Sequence, residues 1–230
     1  PAIKNIVIQV VADTNTQILG LQNGDYDVVR SPSIDVCTRL DGNADVAWDS
    51  TLSTGRISLY LNDWTGACKD INFRKAVQAG IDKQMINDGV YAGRSEILNV
   101  DMCSNYLSFV TEADGVEVVP YDQEAAKEYL AKSNYNGEEF AVSVPSGSAL
   151  ENVGKIIQAQ LMEIGINCTV KATDYPTYSG EFANRTYEAY IINNLCSLVD
   201  ADGMYTAHRL DRKPWENRVF QRDGEISEIL

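Results

Sequence analysis

Asp70-Ile71-Asn72-Phe73-Arg74-Lys75-Ala76-Val77-Gln78-Ala79-Gly80-Ile81-Asp82-Lys83 holds the most regular pattern in the chain. After Asn72, the residues Phe73, Ala76, Val77, Gly80 and Ile81 stand at i, i+3, i+4, i+7 and i+8, one apolar stripe at helical period. Ala76, Ala79 and Gly80 are small enough to let this helix pack close to its neighbours. Asp82 has the side chain of an N-cap for a second helix carrying Met85, Ile86 and Val90, closed by Gly93.

On the C-terminal side, Asp122 caps a helix with Ala125, Ala126, Tyr129 and Leu130 inward. Residues 139–144 alternate as a strand and Pro145-Ser146-Gly147-Ser148 turns the chain. The next helix spans about 150–164 with Val153, Ile156, Ile157, Gln160, Leu161 and Ile164 on one face, and Gly165 stands where a left-handed cap belongs. Strands are expected at 167–172 and 187–192, with a short helix from Tyr175-Pro176 to Asn184 between them. On the N-terminal side, Ile6-Val7-Ile8-Gln9-Val10-Val11 and Tyr26-Asp27-Val28-Val29 have strand composition. Asp13 or Thr14 caps a helix with Ile18, Leu19 and Leu21 inward, and Asn23-Gly24 ends it. Ser31-Pro32-Ser33 opens another with Ile34, Cys37 and Leu40, residues 44–48 read as extended, and Arg56–Leu61 alternates with Ile57, Leu59 and Leu61 on one face. Strands alternating with amphipathic helices make an α/β protein. The polar, turn-rich run Asp49-Ser50-Thr51-Leu52-Ser53-Thr54-Gly55 places a boundary there: 1–55 as one unit and 56–230 as another.

A length of 230 residues allows one large domain or two small ones. With 44% apolar and 23% charged residues the chain has enough core material to exclude disorder. No uncharged apolar run approaches the ~18 residues of a membrane-crossing helix. Acidic residues number 33 against 19 basic ones, a net charge of −14. That balance excludes nucleic acid, whose binding rests on Lys and Arg. It also disfavours an anionic membrane surface, and it leaves cationic or zwitterionic ligands compatible.

The five cysteines, Cys37, Cys68, Cys103, Cys168 and Cys196, form no CxxC pair, so neither a metal site nor a redox motif is expected. Cys168 is expected to point into a core. The single histidine, His208, has no nucleophile-elbow pattern around it and is assigned no chemical role. Asp200-Ala201-Asp202-Gly203 opens like a calcium loop, but its twelfth position is Asp211 instead of the bidentate Glu. No phosphate-binding glycine loop occurs. No cofactor and no metal are therefore expected. A carboxylate pair in an α/β cleft, working as a hydrolase, stays open as the alternative.

Four stretches together resemble the extracytoplasmic solute-binding proteins of ABC importers, in the family 5 branch with oligopeptide- and dipeptide-binding proteins. They are Leu21-Gln22-Asn23-Gly24-Asp25-Tyr26-Asp27; Leu61-Asn62 with Asp70–Lys83 and Val90-Tyr91-Ala92-Gly93; Tyr121-Asp122 through Ala126-Lys127-Glu128-Tyr129-Leu130; and Ile156–Leu161 with Ile164-Gly165-Ile166, Asp174 and Tyr187-Glu188-Ala189.

The resemblance implies a periplasmic-binding-protein type II-like lobe, a mixed sheet flanked by helices. Residues 1–55 would be the end of the first lobe and the hinge, and 56–230 a second, ligand-binding lobe incomplete at its C-terminus. The start without Met and the helix-like ending Ile226-Ser227-Glu228-Ile229-Leu230 fit a piece of a longer protein. The implied function is a binding protein and not an enzyme. It would capture a solute, short peptides first among them, and deliver it to ABC permease subunits. Nickel complexes, haem and oligosaccharides are carried by other members. The implied location is extracytoplasmic, periplasmic or lipid-anchored at the outer face of the cell membrane, with any membrane anchor outside this chain. In peptide-binding members, an aspartate after a late strand pairs with the peptide's α-ammonium. Here Asp200 is the nearest match and Asp202 the second choice, with backbone groups of Leu195, Cys196 and Ser197 extending the ligand as an added strand. Leu195 stands where the pattern has an aromatic residue.

Overall fold

The computed structural model describes residues 2–11, 13–30, 34–100, 103–105, 115 and 118–195. It divides into two compact units, Pro1–Thr51 and Leu52–Leu230.

In the first unit, α1 (Thr14–Asn23) starts on Asp13, whose carboxylate accepts from the Thr16 amide at 2.7 Å and the Thr16 hydroxyl at 2.6 Å. It ends on Gly24 in the left-handed region, φ 80°. The short α2 (Ile34–Thr38) follows. Ile18, Val36 and Leu40 form a small core against Val46 and Trp48. Gly20 is required because the Tyr26 ring lies where a Cβ would be. Two sequence expectations fail here. Residues 6–11 and 26–29 form no strand, and Val7 is 91% exposed. Strand composition alone cannot hold extended backbone, which needs a ladder partner for its N–H and C=O groups. Leu19 is exposed as well, since Ile18 and Gly20 set the buried side of α1.

The second unit is built on a four-stranded mixed sheet in the order β1 (Gly55–Leu61), β4 (Ala189–Leu195), β2 (Phe140–Pro145), β3 (Cys168–Thr173). β2, β3 and β4 run parallel, and β1 is antiparallel to β4. The parallel strands require crossovers, supplied by α6 (Ala149–Glu163) and α7 (Tyr175–Asn184). Alternation splits the sheet's side chains between two faces. Phe140, Val142, Val144, Cys168, Ala189 and Ile191 enter the main core with Phe73, Val77, Ala126, Ile157 and Leu161 of α3 (Ile71–Ala79), α5 (Gln123–Lys132) and α6. The opposite face carries Tyr190, Tyr60 and Ile192 against Tyr178 and Phe182 of α7. Tyr178 and Tyr190 stack at 4.1 Å, Tyr178 Oη donates to the Ile191 carbonyl at 2.6 Å, and Tyr190 Oη donates to the Tyr178 carbonyl at 3.1 Å.

The 70–83 stretch forms as its period requires, with one shift. α3 starts at Ile71, two residues before Phe73, because the Asp70 carboxylate caps it through the Asn72 amide at 2.8 Å. Phe73, Ala76, Val77, Gly80 and Ile81 are all buried. Gly80 is needed where α3 meets α6, since a Cβ there would lie 2.7 Å from Ile164 Cδ1. Asp82 caps α4 (Lys83–Tyr91) through the Gln84 and Met85 amides. Gln160 of α6 hooks onto the same junction, donating to the Asp82 carbonyl and accepting from the Asp82 amide, each at 3.2 Å. Met85 differs from expectation and is exposed; Ile86 and Val90 reach the core.

Asp70 also clasps the chain after α5, where it accepts from the Asn134 amide at 2.8 Å and Asn134 Nδ2 at 3.0 Å. Amide donors from Asn134 and then Asn72 hold its carboxyl below the ordinary value of 3.8. A depressed native pKa contributes stability above the unfolded value, and that contribution is lost as pH falls through the native value. Asp70→Asn is therefore expected to lower stability at pH 7, and its deficit should shrink between about pH 5 and about pH 3. Urea unfolding of both proteins across that range checks this. A deficit independent of pH would assign the effect to packing alone.

Candidate functional site

In open α/β sheets, ligands bind beyond the carboxyl ends of the parallel strands. Here that edge comprises the ends of β2, β3 and β4 at Pro145, Thr173 and Leu195. Because β1 is antiparallel, its first residue belongs to the same edge: Gly55 pairs with Leu195 and Arg56 with Asn194. The chain therefore leaves β4 beside the residue where it entered β1.

Buried polar side chains line the root of this edge. Arg56 is 7% exposed and Asn194 is 4% exposed. Asn194 Nδ2 donates to Tyr60 Oη at 2.7 Å. A second segment straps the entry to β1: Cys103 Sγ lies 3.6 Å from the Thr54 carbonyl, and Asn105 Nδ2 donates to the Ser53 carbonyl at 3.1 Å. Beneath β2 and β3, the buried Glu181 accepts from Ser143 Oγ at 2.7 Å and pairs with Lys171. A buried carboxylate needs such partners.

Two carboxylates that follow β2 and β3 in the chain, Glu151 and Asp174, are already engaged by neighbouring donors. Asp174 accepts from the Thr177 hydroxyl and amide, which hold its carboxyl below the usual range. Glu151 is held low by Lys155 and then by the Gly147 amide. General acids in glycoside hydrolysis need the opposite displacement. Burial, followed by the Glu188 charge, pushes the Cys68 thiol up to about 12, and burial alone pushes Cys168 up to about 12. Both are core thiols, as expected for Cys168. Among the described residues no group of three or more His, Cys, Asp or Glu side chains gathers as a metal site, and no helix is long and apolar enough to cross a membrane.

Of the residues assigned to ligand binding from the sequence, Leu195 is the last of β4. Cys196, Ser197, Asp200 and Asp202 lie outside the described residues, as do His208 and the 200–211 stretch read against a calcium loop. Arg56, Tyr60 and Asn194 were not singled out in the sequence. The available signal was phase: Arg56 and Asn194 fall on the same strand faces as the inward Tyr60 and Tyr190.

The family description "Bacterial extracellular solute-binding proteins, family 5 Middle" matches residues 1–213. The chain belongs to this family. Among curated proteins, the oligopeptide-binding protein AppA of Bacillus subtilis is 23% identical over 248 residues, covering 100% of this chain and 45% of AppA. Heme-binding protein A of Haemophilus influenzae is 23% identical over 179 residues, covering 75% of this chain and 32% of that protein. Among solved structures, the periplasmic binding protein DppA from Helicobacter pylori, in complex with the peptide STSA, superposes with a TM-score of 0.83 at 18% identity. That match covers 96% of this chain and 43% of DppA. The likeness establishes the type II periplasmic-binding-protein fold. The family 5 chain thus spans between about a third and just under half the length of these relatives.

The matched motifs have structural work in this family 5 chain. Asn62 is buried, and its Nδ2 donates to the carbonyls of Tyr187 at 2.9 Å and Arg185 at 3.2 Å, tying the end of β1 to the segment between α7 and β4. Arg74 Nη1 donates to the Cys68 carbonyl at 2.7 Å. Glu188 Oε2 accepts from the Ala141 amide at 3.1 Å. These residues hold the fold together.

Proposed function

We propose that the chain is part of the substrate-binding component of an ABC importer, capturing a short peptide between two lobes and delivering it to permease subunits. The observation that carries this reading is the family match over residues 1–213. The strand-end edge supports it, because the segment following Leu195 starts where family folds of this class place ligands. In this reading Asp200, or Asp202 two residues on, pairs with the peptide's α-ammonium, a charge-assisted bond that suits a chain of net charge −14. Backbone groups of Leu195, Cys196 and Ser197 add the peptide as a strand. The protein works outside the cytoplasm, in the periplasm or lipid-anchored at the outer face of the membrane. Affinity comes from closure around the solute, without turnover.

Haem as the ligand is the second reading, motivated by the likeness to Heme-binding protein A. Native mass spectrometry and calorimetry on a protein of the relatives' full length containing this chain separate the two. Co-purified or added short peptides are expected to bind and to be recovered intact. Haem binding without peptide binding would replace the ligand class, and cleavage of bound peptide would overturn the non-enzymatic reading.

A further inference from the structure

Two Asn-Gly dipeptides occur in the described residues, Asn23-Gly24 and Asn136-Gly137, and both asparagines are exposed. Their backbone environments differ. Asn23 is the last residue of α1, and the Gly24 amide donates to the Gly20 and Leu21 carbonyls. Asn136 lies in the turn between α5 and β2. Gly137 there has φ 89°, and open space surrounds the position of a Cβ. The turn's hydrogen bonds use other groups: the Asn136 amide donates to Glu138 Oε2 at 2.8 Å, Asn136 Nδ2 to the Asn134 carbonyl at 3.0 Å, and Asn167 Nδ2 to the Gly137 carbonyl at 3.4 Å.

We propose that Asn136 is a site of spontaneous modification, converting to aspartate and isoaspartate in the folded protein while Asn23 is protected. The Gly137 amide nitrogen gives up its proton and bonds to Asn136 Cγ, and the side-chain nitrogen leaves as ammonia. Water then opens the cyclic imide at either carbonyl. Opening at one restores the backbone with an aspartate; opening at the other routes the backbone through the side chain and lengthens it by one methylene. At Gly24 the attacking nitrogen is held by α1, so the same step needs the helix end to open first.

Conversion at Asn136 has a structural consequence. It replaces the Nδ2 donor to Asn134 by a carboxylate oxygen facing that carbonyl, and it adds a negative charge beside Glu138. Tyr135 shares this turn, donating to the Glu138 carbonyl at 2.7 Å while its hydroxyl accepts from the Asn167 amide at 2.8 Å. Asn134, two residues before Asn136, is the partner of Asp70. Modification therefore loosens the clasp that joins α3 and α5 to β2.

The test is incubation of the 230-residue chain at mildly alkaline pH, followed by peptide mapping with mass detection and an isoaspartyl methyl-transfer assay. Residue 136 is expected to convert faster than residue 23 by about tenfold or more, the factor set by each ~1.4 kcal/mol of local opening. In denaturant the two rates should converge. Asn136→Gln should remove the isoaspartyl signal from the peptide that carries residue 136, leaving that of the Asp-Gly pairs elsewhere in the chain. Equal rates at the two sites in the folded protein, or no conversion at 136 while the unfolded chain reacts, would overturn the proposal.

Discussion

Leu161→Ala is expected to destabilise the second unit by about 2–5 kcal/mol, the range for deleting a fully enclosed leucine side chain. Leu161 is 0% exposed. It sits on the face of α6 that meets the sheet and α3, in one core with Phe73, Val77, Val142, Val144 and Ile157. On the α3 side, Leu161 Cδ2 lies 3.4 Å from where a Cβ on Gly80 would be, so backbone closes that wall of the site. Backbone collapses into a cavity less readily than side chains do, which favours the upper part of the range. Urea unfolding should show a lower midpoint with an unchanged slope. A cost below about 1 kcal/mol would mean that the surrounding helices shift to fill the space.

What the sequence makes legible is what repeats. The stripes of α3 and α6 and the alternation of β2 follow from one-sided burial, so period alone locates Phe73, Val77, Ile157 and Leu161 in the core. Caps are legible for a related reason: Asp82 and Asp122 satisfy amides at the helix starts, and few residue types can. Residues 6–11 show the limit. Their composition suits a strand, but a strand exists only with a neighbour, and no ladder is present for them among the described residues. Leu19 and Met85 fail on phase, since an apolar residue off the stripe stays in solvent.

The strand-end edge was legible only through family resemblance. Loop residues have no period, and their chemistry depends on which strands become neighbours. The pairing of Gly55 with Leu195 joins positions far apart in the chain. No local pattern encodes it, and with it hidden, the inward phase of Arg56 and Asn194 reads as an interruption of two apolar runs.

The anchoring of ligand gives the other large expected effect. In a protein of the relatives' full length containing this chain, Asp200→Asn is expected to weaken binding of short peptides by about two to three orders of magnitude. Removing one partner of a buried ion pair costs roughly 3–5 kcal/mol, because the other charge stays enclosed without compensation. Asparagine keeps the shape and loses the charge, so the loss measures the charge. N-acetylated peptides should bind the wild type poorly for the complementary reason, as the ammonium is removed from the other side of the pair. The two changes should not add: an acetylated peptide should lose far less affinity on Asp200→Asn than a free one, since the shared interaction is already absent. Calorimetric titration of the four combinations reads this directly. Full affinity in Asp200→Asn with a loss in Asp202→Asn would shift the anchor by two residues along the same segment. Insensitivity to both substitutions and to acetylation would remove the peptide ammonium from the site, and with it the reason for preferring peptides over the other solutes of the family.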